Sequence, residues 1–515
     1  MKRFPHAGRW WLTITLMAFV GGLAWVWLHG DLQRQDRNLR TVLVLLATFF
    51  SLLLWVPIGS GWRPRARWIF IVSTLAIMAL CGLTLRIHGV TGDLIPIVKW
   101  RWSKASTIVV EKVSEAGPQA TTLTNRYPQF LGPNRDGVLA GPPLARDWKQ
   151  SPPQELWRHA VGSAWSGFAI EGNRAITQEQ RGDEELVVCY DLLTGRTFWT
   201  HGDNSRYATT IAGEGPRATP TISSNRVFTM GGRGILNCLD LATGNLLWKR
   251  DTLTEFNAKI PEWGVACSPL VTERAVFVTV GGAGAAMVAF DRETGAKLWA
   301  SGADSPHWCS PVRATFDGSS QIIVFSENVS AYDEQSGKVL WRYPWRSSFP
   351  HVSTPLQLSG NRVLVSQGYG GGSELLQVTY TNNHWRASRV WKSIRLKSKF
   401  ANLIQLDGFI YGLDDGALVC LDAGTGDLKW KGERFGHGQM ILVGNVLLIT
   451  SEIGDVVLVE PNPTEFRELT RMKVFSGKTW NPPALAGDLL LVRNDREAAC
   501  LRLPLGNSQA VSTRR

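Results

Sequence analysis

One phrase recurs along most of this chain and limits its fold more than anything else: an apolar residue, Asp, two variable residues, Thr-Gly, three variable residues and Trp. It reads Tyr190-Asp191 with Thr194-Gly195 and Trp199, then Leu239-Asp240 with Thr243-Gly244 and Trp248, then Phe290-Asp291 with Thr294-Gly295 and Trp299. Tyr332-Asp333 with Ser336-Gly337 and Trp341, and Leu421-Asp422 with Thr425-Gly426 and Trp430, continue the series. Degenerate copies stand at Val378-Thr379 before Trp391, at Val459-Glu460 and at Leu501-Arg502. A return at intervals of roughly 40 to 50 residues marks a radially repeated sheet rather than a set of unrelated domains.

The residues of the phrase explain what it builds. An Asp carboxylate accepts backbone N–H groups at the head of a tight turn, and Gly supplies the positive φ that such a turn needs. The phrase is therefore a hairpin between two strands. Its Trp opens the outermost strand and is large enough to wedge against the next repeat. Two alternating strands precede each phrase, as at 222–237, 363–378, 406–419, 441–457 and 485–499, so that each repeat holds enough strands for a small sheet. Packing such sheets about an axis covers both apolar faces and leaves only short edges. We expect an all-β, eight-bladed β-propeller of four-stranded antiparallel blades over 126–505, or seven blades if the degenerate fifth copy elaborates its neighbour.

Ahead of the repeats lie three apolar stretches, about 10–28, 41–59 and 68–85, each close to the ~20 residues that span a hydrocarbon core. We expect three transmembrane α-helices forming a membrane anchor over 1–88. Trp25 and Trp27 stand where a signal-peptidase site would need small residues, so the first span is expected to be retained. Trp10, Trp11, Trp62 and Trp68 suit interfacial anchors. Arg9, Arg63, Arg65 and Arg67, with Lys2 and Arg3, are balanced by Arg34, Arg37, Arg40, Arg86, Lys99, Arg101 and Lys104 on the other side, so charge bias sets no orientation. The odd number of spans puts the amino terminus and the large carboxy-terminal part on opposite sides. A juxtamembrane linker is expected over 89–125, with Lys99-Trp100-Arg101-Trp102 at the headgroup layer, and a polar tail over 506–515.

The net charge of +12 gathers near the spans or is interspersed with Asp and Glu, and no nucleic-acid-binding motif accompanies it. Membrane lipid is an expected partner and nucleic acid is not. The seven cysteines form no CxxC and no CxxCH, which argues against zinc and covalent haem. Cys189, Cys238, Cys420 and Cys500 recur at one strand position and read as packing residues; Cys267 and Cys309 stand at equivalent places in adjacent repeats, where close packing or a pairing would suit them.

Through these copies, and through the opening run Tyr127-Pro128-Gln129-Phe130-Leu131-Gly132-Pro133-Asn134-Arg135-Asp136-Gly137, the stretch Tyr127 to Pro504 resembles the pyrroloquinoline-quinone (PQQ)-like propeller repeat proteins. That resemblance implies one of two classes, quinoprotein dehydrogenases or non-catalytic propellers such as the lipoprotein of the outer-membrane protein assembly machinery. By the same analogy the propeller is expected in a bacterial periplasm, held at the inner membrane by multiple passes.

Equivalent positions in a ring meet at its centre, so the residues ahead of each innermost strand form the candidate site: Trp165, Arg217, Trp263, Trp308, His351, Lys399, Asn402, Lys478, Trp480 and Asn481, with His307 and His437 beside them. Trp faces can stack on a flat ring, and Arg217, Lys399 and Lys478 can neutralise carboxylates, matching a planar tricarboxylate such as PQQ. The competing reading is that tryptophans fill the narrow axis and cations crown its mouth. The resemblance implies calcium as PQQ's companion, for which Glu214, Glu262, Asn402 and Asn481 are the available oxygens. No Asp stands in the Trp-Asp context of those enzymes and no vicinal cysteine pair is present. A metal held by His307, His351 and His437 is not expected. The leading expectation is a membrane-held binding or scaffold propeller with a protein partner; the alternative is a PQQ-dependent dehydrogenase oxidising an alcohol or sugar and reducing membrane quinone.

Overall fold

The computed structural model describes residues 5–30, 32–103 and 126–506. The chain divides into two compact units, Met1–Thr107 and Ile108–Arg515. Lys2, Arg3, Lys104 and the rest of the linker to Asn125, and the tail from Asn507, lie outside the described residues.

The first unit holds three helices, α1 (Pro5–Leu28), α2 (Arg34–Gly59) and α3 (Pro64–Thr84), each long and apolar enough to cross a membrane. Thr15 and Ser51 share a 2.8 Å hydrogen bond, and Trp11 donates its indole N–H to the same serine at 3.0 Å, so α1 and α2 are tied by polar groups. α2 starts a turn and more before the expected 41 because its polar opening is held from outside: Arg34 pairs with Asp93 at 3.4 Å and Asn38 donates to the Asp93 carbonyl. α3 ends at Thr84, where the chain turns into a two-stranded hairpin, Leu85–Val90 against Pro96–Trp100. The start of the expected linker is thus ordered strand. Trp100 and Trp102 stack at its end with centroids 5.5 Å apart.

The second unit contains eight antiparallel sheets of four strands among the described residues, one of them extended by a short parallel fifth strand. The first sheet runs Ala169–Glu171, Arg174–Arg181, Glu184–Asp191, Thr197–Asp203, in chain order from inside to outside. Six more follow the same order over 221–251, 270–301, 312–343, 356–393, 404–434 and 439–473. The eighth is composite: Ala484–Ala486, Leu489–Arg493 and Glu497–Arg502 are completed by Gln154–Ala160 from the start of the propeller. This closes the ring with the strand that precedes the first sheet and explains why the last copy of the phrase has no Trp. Its tryptophan is Trp157.

The turn chemistry is as the phrase predicts. Asp191 Oδ1 accepts from the Leu193 and Thr194 backbone N–H groups and from the Thr194 hydroxyl, and Asp240, Asp291 and Asp333 repeat all three bonds. The Thr294 N–H and hydroxyl hold the Asp291 carboxyl below the ordinary carboxylate range. Each indole reaches into the next sheet's turn: Trp157, Trp199, Trp248, Trp299, Trp391 and Trp430 donate Nε1–H to the carbonyls of Leu192, Leu241, Arg292, Glu334, Ala423 and Asn462. The Gly of that turn, at φ about +70°, lies flat against the ring; a Cβ on Gly195 would come within 2.7 Å of Trp157. Trp341 is the exception. The fifth sheet lacks the Asp turn and carries a long hairpin, Gly372–Thr381 with His384–Ser393, so Trp341 donates instead to Gln321 within its own sheet.

Candidate functional site at the propeller axis

The Ser/Thr-Pro pairs ahead of the inner strands build a hydrogen-bonded belt around the axis. Gly167 N–H donates to Thr219 Oγ1, Thr219 N–H to Ser268 Oγ, Ser268 N–H to Ser310 Oγ and Thr354 N–H to Asn402 Oδ1, at 2.8–3.1 Å. Asn481 joins the eighth sheet to the first, its Nδ2 donating to the carbonyls of Ala164 and Ser166. Backbone donors buried at the axis need partners, and the side chain of the neighbouring sheet supplies them. Asn402 and Asn481 are therefore engaged in joining sheets.

The tryptophans and cations converge on the mouth of this belt and touch one another. Trp165 meets Trp480 at 5.0 Å between centroids, Trp480 meets Phe400 at 5.0 Å, Phe400 meets Trp263 at 6.0 Å and Trp263 meets Trp308 at 4.7 Å. Trp263 leads into the third sheet and Phe400 into the sixth, so the aromatic chain crosses the axis. The Lys478 ammonium lies over Trp165 and Trp480, 4.6 and 4.1 Å from their centroids, and Lys399 lies over Tyr369 and Phe400. Burial lowers Lys478 to about 8 against the opposing pull of Asp495 and Glu452. Arg217 stacks on Tyr207 at 4.4 Å, donates to the carbonyls of Ala212 and Gly213, and is lowered by burial to about 10. His351 sits deeper: it stacks between Phe325 and His307, bonds to the Ser326 carbonyl, and is driven down to about 3 by burial and by His307. His437 packs edge-on against Phe400.

Two buried ionisable residues, one at the axis and one between the first and second sheets, were not among the expected site residues. Arg135, from the run Tyr127 to Gly137, is buried with its guanidinium donating to the carbonyls of Ser268 and Pro269 and to Gln129. That run crosses beneath the axis: Tyr127 bridges Ile170, Pro128 accepts from Ile222 N–H, and Val138-Leu139 pairs in parallel with Leu442-Val443. Glu185 is the other, a buried carboxyl that accepts from Gly232 N–H, is raised by burial to about 7 and feels Arg217. Neither belongs to the repeated phrase, and only Arg135's place in the opening motif marked it.

The fit of PQQ and calcium follows from these contacts. A flat ring held between two others needs about 7 Å between their faces, two stacking distances of ~3.5 Å, and the rings of the mouth are already in contact. Calcium needs six to eight oxygens; Asn402 Oδ1 is occupied by Thr354, Glu214 pairs with Arg206 at 2.9 Å, and Asn481 leaves the single buried oxygen Oδ1 without a hydrogen-bond partner. Glu262 is exposed, so these residues leave one buried and one exposed donor where calcium needs several converging oxygens, and the donor set does not suit the pair.

The family described as outer membrane protein assembly factor BamB matches residues 182–432, just under half of the chain. Among solved structures, BamB from Moraxella catarrhalis is 14% identical, covering 70% of this chain and 100% of its own, with a TM-score of 0.51. A europium-containing methanol dehydrogenase is 12% identical over 74% of this chain and 98% of its own, TM-score 0.56. The quinohemoprotein alcohol dehydrogenase of Comamonas testosteroni is 11% identical over 76% and 82%, TM-score 0.54. No curated protein sequence matches. The repeats and the fold are those of a PQQ-like β-propeller, and identities this low carry the fold alone.

Proposed function

For a PQQ-like propeller carried behind three helices of membrane-spanning length, we propose the role of a binding or scaffold module, held at a bacterial inner membrane with the propeller in the periplasm. The observation that carries this reading is the aromatic chain across the mouth, Trp165–Trp480–Phe400–Trp263–Trp308, which occupies the space a planar cofactor would need. Arg135 and its segment fill the other side of the belt. The tryptophans and cations then serve as an axial plug. The matching family is described as an assembly factor, which agrees with a protein partner, and the dehydrogenases among the structural neighbours supply the competing reading.

Titrating the full chain in detergent with PQQ, with and without Ca²⁺, separates the two. The scaffold reading expects no saturable quenching of tryptophan emission and no dye reduction across alcohols and sugars. Stoichiometric PQQ binding would refute the plug, and turnover that Lys478→Met abolishes would establish the dehydrogenase. Protease added to intact spheroplasts should digest the propeller; a protected propeller refutes the periplasmic placement.

A further inference from the structure

Beside the axial cluster, with which it shares Tyr369, a second site lies where the fourth sheet passes to the fifth. A cavity of about 880 Å³ opens between the connection after Tyr343 and the turn at Tyr369 to Gly371, within the size range of ligand pockets. It is built from the connection after Tyr343 and from the turn between the second and third strands of the fifth sheet, neither of which belongs to the repeated phrase.

Its charge is unbalanced. Glu374, 4% exposed, accepts from the Tyr343 hydroxyl at 2.6 Å and pairs with Lys392 at 3.1 Å and Arg389 at 3.7 Å. Arg346, also lining the cavity, is exposed and makes no ion pair among the described residues. Three cations thus face one carboxylate, and Glu374 orients Arg389 and Lys392 without neutralising them both. Lys392 also lies 5.7 Å over the Trp345 ring.

The cavity has one aromatic shelf. Phe349, 49% exposed, lies parallel to Tyr369, with 4° between planes and 5.3 Å between centroids. Its loop is pinned: Gln367 donates through Nε2 to Ser347 Oγ and to the Phe349 carbonyl, and accepts Trp345 Nε1–H at 2.8 Å. A shelf fixed before binding loses little freedom when a ligand arrives.

We propose that this cavity is a binding site for a carboxylated sugar chain of the uronic-acid type. The apolar C–H face of a pyranose lies on an aromatic ring whose face is electron-rich, and the guanidinium groups take its carboxylate in bidentate pairs. Peptide interfaces draw their energy from several buried aromatic or aliphatic anchors; here Tyr343, Trp345 and Tyr369 also line the cavity but are buried or half-buried, and one strongly exposed ring, Phe349, beside three cations suits a charged sugar better.

The test uses the full chain in detergent and measures binding of tetragalacturonate, its methyl ester and a glutamate-rich peptide by calorimetry. Tetragalacturonate should bind saturably and the ester at least about tenfold more weakly, because esterification removes the charge the guanidinium groups pair with. Phe349→Ala should weaken both sugars, whereas Arg346→Gln should weaken only the acid. Phe349 and Arg346 are exposed, so the thermal midpoint of each variant should match the parent and exclude misfolding. Absence of saturable binding at millimolar tetragalacturonate, equal binding of acid and ester, insensitivity to Phe349→Ala, or tighter and Phe349-dependent binding of the peptide would each overturn the proposal.

Discussion

Gly295→Ala probes the contact that joins one blade to the next. Gly295 has φ +70°, and a Cβ placed on it would lie 2.6 Å from Trp248 Cδ2 and 2.8 Å from Cε3, well inside contact distance. Two costs follow: roughly 1–2 kcal/mol for an L-residue in the left-handed region, and roughly 1–3 kcal/mol for forcing a methyl against a ring pinned by its bond to the Arg292 carbonyl. The stiffer unfolded chain of alanine also favours folding, returning about 0.4–1 kcal/mol, which leaves about 1–5 kcal/mol of net loss. Trp248→Ala by itself should lose about 3–5 kcal/mol as a buried aromatic truncation. In the double variant the methyl meets no ring, so only the backbone share of Gly295→Ala should persist.

The two losses should therefore fall short of additive by about 1–3 kcal/mol. For a body of about 380 residues, ~2.1 cal/mol/K per residue makes 1 kcal/mol roughly 1.3 °C of midpoint, so Gly295→Ala should melt a few degrees early and the double variant close to Trp248→Ala. Thermal unfolding of the full chain in detergent, read by circular dichroism at one scan rate, measures all four proteins. Strict additivity would refute the argument that the glycine exists to admit the neighbouring indole.

Glu185 supplies a pH signature: its carboxyl is raised by burial to about 7 in the fold, so its stabilising protonated state is complete below the unfolded value near 4.5 and is lost as pH rises through about 7. Stability should decline across that window by up to about 3 kcal/mol, and Glu185→Gln should flatten the decline; an unchanged profile in that variant would contradict the assignment. Lys478, lowered to about 8 by burial between Trp165 and Trp480, should give tryptophan emission a titration near that pH which Lys478→Met removes; persistence of the step would assign it elsewhere. Trp157→Ala should loosen the strand that closes the ring, costing about 3–5 kcal/mol and exposing the segment ahead of 160 to protease first; cleavage beginning elsewhere would count against a weak point at the closure.

Much of this fold can be read from the sequence because its determinants are local and repeated. Asp191 and Thr194 are three residues apart, and their turn is the same wherever the pair recurs. The wedge of each indole follows from its size and fixed offset. Closure is less legible, because Trp157 completes a sheet whose other strands begin more than three hundred residues later, and nothing near Leu501 indicates where its partner lies. The axis is harder still. Position along the repeat identifies which residues face inward, but whether Asn402 offers its oxygen to a ligand or to the Thr354 N–H depends on the spacing of adjacent sheets.

Residue type and residue use diverge most at the mouth, and the physical reason is the narrowness of a ring centre. Tryptophans and cations converging from several blades have the composition of a quinone pocket, yet the same composition makes a plug once the rings come within about 5–6 Å of one another. A ring then gains its stacking energy from a neighbour instead of a ligand, and Lys478 gains its cation–π contacts from within the chain. Specificity for an outside molecule must accordingly come from places where the repeat is broken, since positions bound to the repeat are already committed to joining blades. The connection from Tyr343 to the fifth sheet is one such place: it carries no part of the phrase, and the cationic cavity with its single exposed phenyl ring opens there.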